Sequence, residues 1–389
     1  MRSINLNPVA VTVLVSLLAG PAMLLGDLLP PPSANPNPAP AAPATPAGPP
    51  PANPGAPGSR RGGRGGGPPM TADETAAVAR LADLPDLSPQ SGDGDYKVGP
   101  MYANDPALKP LTDGSKGTVH EFEMVAAESK FYPGNGPRGA TATRKVAVYV
   151  PAGYTAGTAA PCIVAQDGYL LNYNKLLPPI LDHLIAAHRL PAMIAVMIQS
   201  GGGDGPGSER GLEYDTVSGK YAEFVEAEVL PRIAKDYNLT FTTDPDGRMT
   251  LGGSSGGSAA LAMAWFHPEL YHRVLTYSGT YVNNQSPVNP ALPHGAWEFH
   301  EHLIPQTDAK PLRLWIEAGQ NDNGATRSGA SMGNWILANL HMAAVLKAKG
   351  YHYQFVYALA GRHVDSRVVG QTLPQALEWV WQDYKPVAK

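Results

Sequence analysis

The run Leu251-Gly252-Gly253-Ser254-Ser255-Gly256-Gly257-Ser258 is the part of this chain best suited to chemistry. A serine hydroxyl attacks a carbonyl when a base takes its proton and hydrogen-bond donors hold the oxyanion that forms. Gly-x-Ser-x-Gly at a strand-to-helix turn exposes the hydroxyl and aims the next backbone N–H at the oxyanion. The run fits this motif in two registers, centred on Ser254 or on Ser255. A strand over 248–251 and a small-residue helix from Ser258 place Ser255 midway between them. Ser255 is therefore the expected nucleophile, and Gly256 the expected first oxyanion donor.

Such a serine needs a histidine base and a carboxylate to orient it, in the chain order Ser, acid, His, each in a loop after a strand. Asp322 lies in the turn 318–323, after a strand expected over 312–317. His363 follows a strand expected over 354–357, and a helix over 335–349 separates the two. Of eleven histidines, His363 alone has this position. Glu317, still inside its strand, and Asp365, just beyond the histidine, are alternative acids. A second oxyanion donor is expected at Gly168 or Tyr169, in the loop after the strand over 162–165.

These stretches, with Gln166-Asp167-Gly168, Arg210 to Asp215, Tyr221, Phe224, Leu230-Pro231, Ala264-Trp265 and Pro268, carry a resemblance. Over about residues 93–384 the chain resembles the esterase family that includes enterochelin esterases, feruloyl esterases and S-formylglutathione hydrolase. The enterochelin-esterase-like branch of secreted bacterial proteins is the most similar. The resemblance implies an α/β-hydrolase fold and ester hydrolysis through an acyl-enzyme, with no cofactor. Carried over, it implies Ser255 as nucleophile, Asp322 as acid and His363 as base. Asn321 and Asn323, flanking the acid, depart from the family pattern.

Two polar stretches lie outside the triad. Arg210, Glu213, Tyr214 and Asp215 follow the glycine-rich loop 201–207. Arg210 could bind a substrate carboxylate or sugar, or pair with Glu213 to pin the loop; pinning is the preferred reading. His294, His300 and His302 sit between the nucleophile and acid strands, with Trp297 and Phe299 as an expected aromatic wall of the pocket. His-x-His on a strand would aim two imidazoles to one side, as zinc requires. Without a third or fourth ligand in view, no metal site is expected.

The elements that must position these residues follow from periodicity. Short β-branched runs at 119–125, 145–150, 162–165, 193–198, 249–251, 274–277, 312–317 and 354–357 alternate, after the first two, with helical runs at 176–188, 220–236, 256–266, 335–349 and 373–383. Early hairpin strands followed by strand–helix alternation predict an α/β fold, with antiparallel N-terminal strands leading into a mostly parallel sheet covered on both faces. A further short helix is expected over 70–84, with Thr71 as cap and Glu74 completing a capping box.

Composition divides the chain into residues 1–26, a signal peptide or N-terminal anchor; 27–69, a disordered Pro/Ala/Gly-rich linker; 70–92, a helical lead-in; and 93–389, the esterase domain. This organisation implies export to the periplasm, cell surface or exterior, with the N-terminus available as a membrane or surface tether. Cys162 is the only cysteine, so no disulfide forms within the chain and stability must come from the core. A net charge of −4 leaves no footprint for nucleic acid. The expected partner is a small-molecule or carbohydrate-linked ester. The alternatives are an acyltransferase of the mycolyltransferase type and a non-catalytic surface or carbohydrate-binding module.

Overall fold

The computed structural model describes residues 67–385. The signal or anchor segment and nearly all of the linker lie outside the described residues. Among those described, strands form in chain order as β1 (Gly94–Val98), β2 (Thr118–Val125), β3 (Thr143–Val150), β4 (Ala159–Ala160), β5 (Cys162–Gln166), β6 (Ile194–Ile198), β7 (Thr240–Phe241), β8 (Arg248–Gly253), β9 (Arg273–Tyr277), β10 (Arg313–Asn321) and β11 (His352–Arg362). The helices are α1 (Ala72–Arg80), α2 (Tyr173–Ala186), α3 (Glu209–Tyr214), α4 (Lys220–Phe224), α5 (Leu230–Tyr237), α6 (Ser255–Phe266), α7 (Ile304–Gln306), α8 (Trp335–Ala348) and α9 (Ser366–Val380).

Nine strands form one sheet in the order β1-β11-β10-β9-β8-β5-β6-β3-β2. β2 pairs antiparallel with β3, and β3 with β6. Every other pairing in this sheet is parallel. This is the expected α/β architecture. Central strands β5, β6, β8 and β9 are buried along their whole length, as strands covered on both faces must be.

Their side chains alternate between two cores. Cys162, Val164, Ile194 and Val196 face the layer holding α6 and α8. Ile163, Ala165, Ala195 and Met197 face the layer holding α2 and α9. Cys162 is fully buried, and burial pushes its thiol up to about 11, which makes it an inert core residue.

The expected strands all form; β4 and β7 are short additions that pair with each other, and β1 is an addition to the main sheet. Its sequence, Gly-Asp-Tyr-Lys-Val, lacks an apolar run because it is an edge strand whose residues are mostly half-exposed. α9 begins at Ser366 rather than near 373, capped by the Asp365 carboxylate on the Arg367 N–H. Helical backbone continues from α4 into α5 through a π-helical turn at Val225–Val229.

Thr71 and Glu74 form the expected capping box of α1. Glu74 also reaches the loop between β10 and α8, accepting from the Ser328 hydroxyl at 3.1 Å and the Gly329 N–H at 2.8 Å. The lead-in thus straps the loop that carries Asp322.

Candidate active site

The strand-to-helix turn is tighter than its sequence suggests. β8 continues through Gly252 and Gly253, which pair with Thr276 and Tyr277 of β9, and α6 starts at Ser255. Ser254 alone forms the turn, with φ 57° and ψ −130°. A non-glycine residue there carries strain of about 1–3 kcal/mol. Two backbone bonds hold it: the Ser254 N–H donates to the Tyr277 carbonyl at 2.9 Å, and the Thr280 N–H donates to the Ser254 carbonyl at 3.0 Å.

The motif's small residues are needed for contact. A Cβ added to Gly252 would lie 2.1 Å from the Gly256 carbonyl oxygen. Positions two before and two after Ser254 touch, which selects the Ser254 register.

Ser254, not Ser255, meets the histidine. The Ser254 hydroxyl is 2.8 Å from His363 Nε2, and His363 Nδ1 is 2.6 Å from Asp322 Oδ1. Placing the ring proton on Nδ1, against the carboxylate, leaves Nε2 free to accept from the serine. The reading that favoured Ser255 treated 252–254 as turn, whereas glycines let the buried strand run two residues further. Ser255 is 3% exposed, and its hydroxyl is turned toward the Asp215 carboxylate. Burial pushes Asp215 up to about 6, with that hydroxyl, Arg210 and Asn284 opposing.

Asp322 is built into the end of β10. Its Oδ1 also accepts the Asn323 N–H at 2.7 Å, and its own N–H donates to the Gly319 carbonyl at 3.0 Å. A Cβ on Gly319 would lie 2.7 Å from the Gly361 carbonyl oxygen, so the acid and histidine loops approach only over glycine. Gln320 ties them together by accepting the Ala360 N–H at 2.8 Å.

The alternative acids have other positions. Glu317 is fully buried within β10, and burial, then the Asp322 charge, raise its pKa well above the ordinary value. Asp365 pairs with Arg367, whose hydrogen bonds lower it to about 2.

The oxyanion donors shift with the serine. Gly168, an expected donor, already gives its N–H to the Ile198 carbonyl at 2.9 Å. Gly256, the other expected donor, lies two residues past Ser254 rather than one. With the elbow at Ser254, the next N–H is that of Ser255, and among the described residues neither it nor the Tyr169 N–H donates to a backbone acceptor.

Behind Tyr169, Asp167 is fully buried in the left-handed region at φ 54°. Arg210 Nε lies 2.9 Å and Nη2 2.6 Å from Asp167 Oδ2, while Nη1 reaches Asp204 at 3.1 Å. Arg210 therefore pins the loop that follows β5. Glu213 pairs with Arg144 rather than Arg210 and accepts the Gly201 N–H at 2.9 Å. Arg210→Met should cost about 3–5 kcal/mol in denaturant unfolding, because Asp167 is left as an unpaired buried charge. A change below 1 kcal/mol would contradict this pinning role.

Trp297 turns inward instead of walling the pocket. It is 7% exposed and packs edge-on to His300 at 4.4 Å and His341 at 5.6 Å between ring centroids. The aromatic beside the site is Trp335, at the start of α8. Its ring is 5.7 Å from the His363 ring, edge to face, and its indole N–H donates to the Thr280 hydroxyl at 3.3 Å. Sequence reasoning missed Trp335 and Thr280, although Trp335 opens the helix that follows the acid loop.

The fold and this geometry define an α/β-hydrolase with a serine at its strand-to-helix elbow. Residues 140–379 match the family model described as "Putative esterase". The chain belongs to that family of α/β-hydrolase esterases. No curated protein matches it.

Among solved structures it is similar to the enterobactin esterase of Shigella flexneri determined in the presence of enterobactin. Identity is 21% and TM-score 0.51, covering 70% of this chain and 62% of that one. A ferric enterobactin esterase from Salmonella typhimurium gives 21% identity and TM-score 0.50, covering 73% and 62%. A ferulic acid esterase gives 17% and 0.50, covering 69% and 100%. This chain thus spans less than two thirds of the two enterobactin esterases, and at these identities the likeness establishes the fold.

Proposed function

We propose that the protein is an exported serine carboxylic-ester hydrolase that works through an acyl-enzyme on Ser254, His363 and Asp322. The continuous hydrogen-bonded path from the Ser254 hydroxyl through His363 to buried Asp322 carries this reading. His363 Nε2 takes the Ser254 proton as the hydroxyl oxygen attacks the ester carbonyl. The N–H groups of Ser255 and Tyr169 face the oxyanion of the tetrahedral intermediate. His363 then gives its proton to the departing alcohol. A water, deprotonated by the same nitrogen, releases the acid and frees Ser254. Asp322 holds the tautomer and stabilises the imidazolium.

Export is supported by the apolar run after Arg2 and by the proline-rich segment that follows it. Among the described residues no helix is long and apolar enough to cross a membrane. The alkyl ester panel that tests the activity should include aromatic acyl esters, because Trp335 borders His363.

A fluorophosphonate probe should label the purified protein once, at Ser254, and abolish hydrolysis of p-nitrophenyl acetate in proportion. A folded protein that neither reacts with the probe nor cleaves any ester would be a binding module instead. If product analysis with a competing sugar acceptor yields mainly the transferred acyl sugar, the activity is acyl transfer.

A further inference from the structure

We propose that His294, Glu298, Glu301 and His302 form a binding site for a divalent transition-metal cation, with zinc the best match to the donors. The expectation of no metal rested on the lack of a third or fourth ligand beside His300 and His302, which a strand would aim to one side. The segment is helical instead, with a 3-10 turn at Gly295–Trp297 and a π-helical turn at Phe299–Leu303. His300 turns into the core against Trp297 and His341. His302 instead meets the carboxylates of Glu298 and Glu301, the same two that His294 meets.

The four side chains converge. His294 Nδ1 lies 2.8 Å from Glu301 Oε2 and 3.5 Å from Glu298 Oε1. His302 Nδ1 lies 2.5 Å from Glu298 Oε2 and 3.9 Å from Glu301 Oε2. One donor atom each from His294, Glu298 and Glu301 falls within 4.8 Å of the others. Ligands on a tetrahedral zinc, with bonds of about 2.0–2.2 Å, sit roughly 3.3–3.5 Å apart. These separations bracket that value, so small side-chain adjustments bring His294, Glu298 and Glu301 to one ion, with His302 beside Glu298 and Glu301 to complete the set. Two imidazoles with two carboxylates suit zinc better than calcium or magnesium, which prefer oxygen alone.

Charge supplies a second, independent argument. The Glu298 side chain is only 3% exposed. A buried carboxylate needs a compensating charge. Among the described residues, the ion-pair partners of Glu298 and Glu301 are these two histidines, and Glu298 also accepts the His294 backbone N–H at 3.1 Å. A divalent cation would neutralise both carboxylates. It would also fix a turn whose Phe299 packs on Trp265 of α6, 6.0 Å between ring centroids, and so brace the helix behind Ser254.

The test uses the full chain, stripped with a chelator and titrated with zinc chloride by calorimetry and thermal unfolding. One equivalent should bind with micromolar or tighter affinity, raise the unfolding temperature by several degrees and be reversed by chelator. Cobalt at the same site should show tetrahedral d–d absorption. Glu301→Gln and His302→Ala, both partly exposed and safe for folding, should each weaken binding at least about tenfold. His352→Ala, an exposed histidine elsewhere, should not. Saturable binding absent up to millimolar zinc would overturn the proposal. So would binding that survives both substitutions, which would leave only paired histidine–glutamate hydrogen bonds.

Discussion

Ser254→Ala is expected to lower kcat for p-nitrophenyl acetate by on the order of 10⁶-fold, with the fold intact. The methyl group keeps the elbow and both backbone bonds but leaves His363 Nε2 without a proton to take. Ser255→Ala is expected to change kcat by less than about tenfold. It removes only a hydroxyl turned toward Asp215 and keeps the backbone N–H that the proposed mechanism uses at the oxyanion. The pair decides the register, with circular dichroism and unfolding curves showing that both variants fold. A large loss in Ser255→Ala with near-normal Ser254→Ala would reverse the assignment.

Asp322→Asn should cost about 10⁴-fold in kcat with little change in KM. The carboxamide cannot hold the imidazole proton on Nδ1 or balance the imidazolium, yet it fills the same space. Glu317→Gln is the informative contrast. Burial and the Asp322 charge favour the uncharged form of Glu317, which the amide mimics. Its expected effect on kcat is within a few-fold. The opposite ranking, measured on the same ester, would make Glu317 the acid and leave Asp322 as a turn residue.

Much of the site was legible because α/β-hydrolase chemistry has a chain order. His363 and Asp322 each follow a recognisable strand, and the structure brings their side chains within 2.6 Å of each other. The tandem serine was not legible in the same way. Glycine is a weak strand former, so 252–253 read as turn. Only pairing with β9, and the need for Gly252 to lie against Gly256, draws the strand out to Gly253.

Other local readings depended on contacts between distant segments. Arg210 and Glu213 looked like mutual partners from their spacing, but each pairs with a residue far away in sequence, Asp167 and Arg144. The histidine stretch was placed by contacts as well: buried Phe299 and Trp297 anchor it as a helix, whereas the His-x-His spacing alone also allowed a strand.

By itself the sequence determined the fold class, the strand that carries each functional loop, the order serine, acid, histidine, and the lead-in capping box. These rest on local periodicity and on loops whose place follows from chain connectivity. Tertiary structure alone decided which serine points at His363, which backbone N–H groups are free, and which carboxylate sits against the imidazole. Each of these depends on a separation of an ångström or two between segments remote in the chain, and residue identity does not encode such a distance until the sheet has formed.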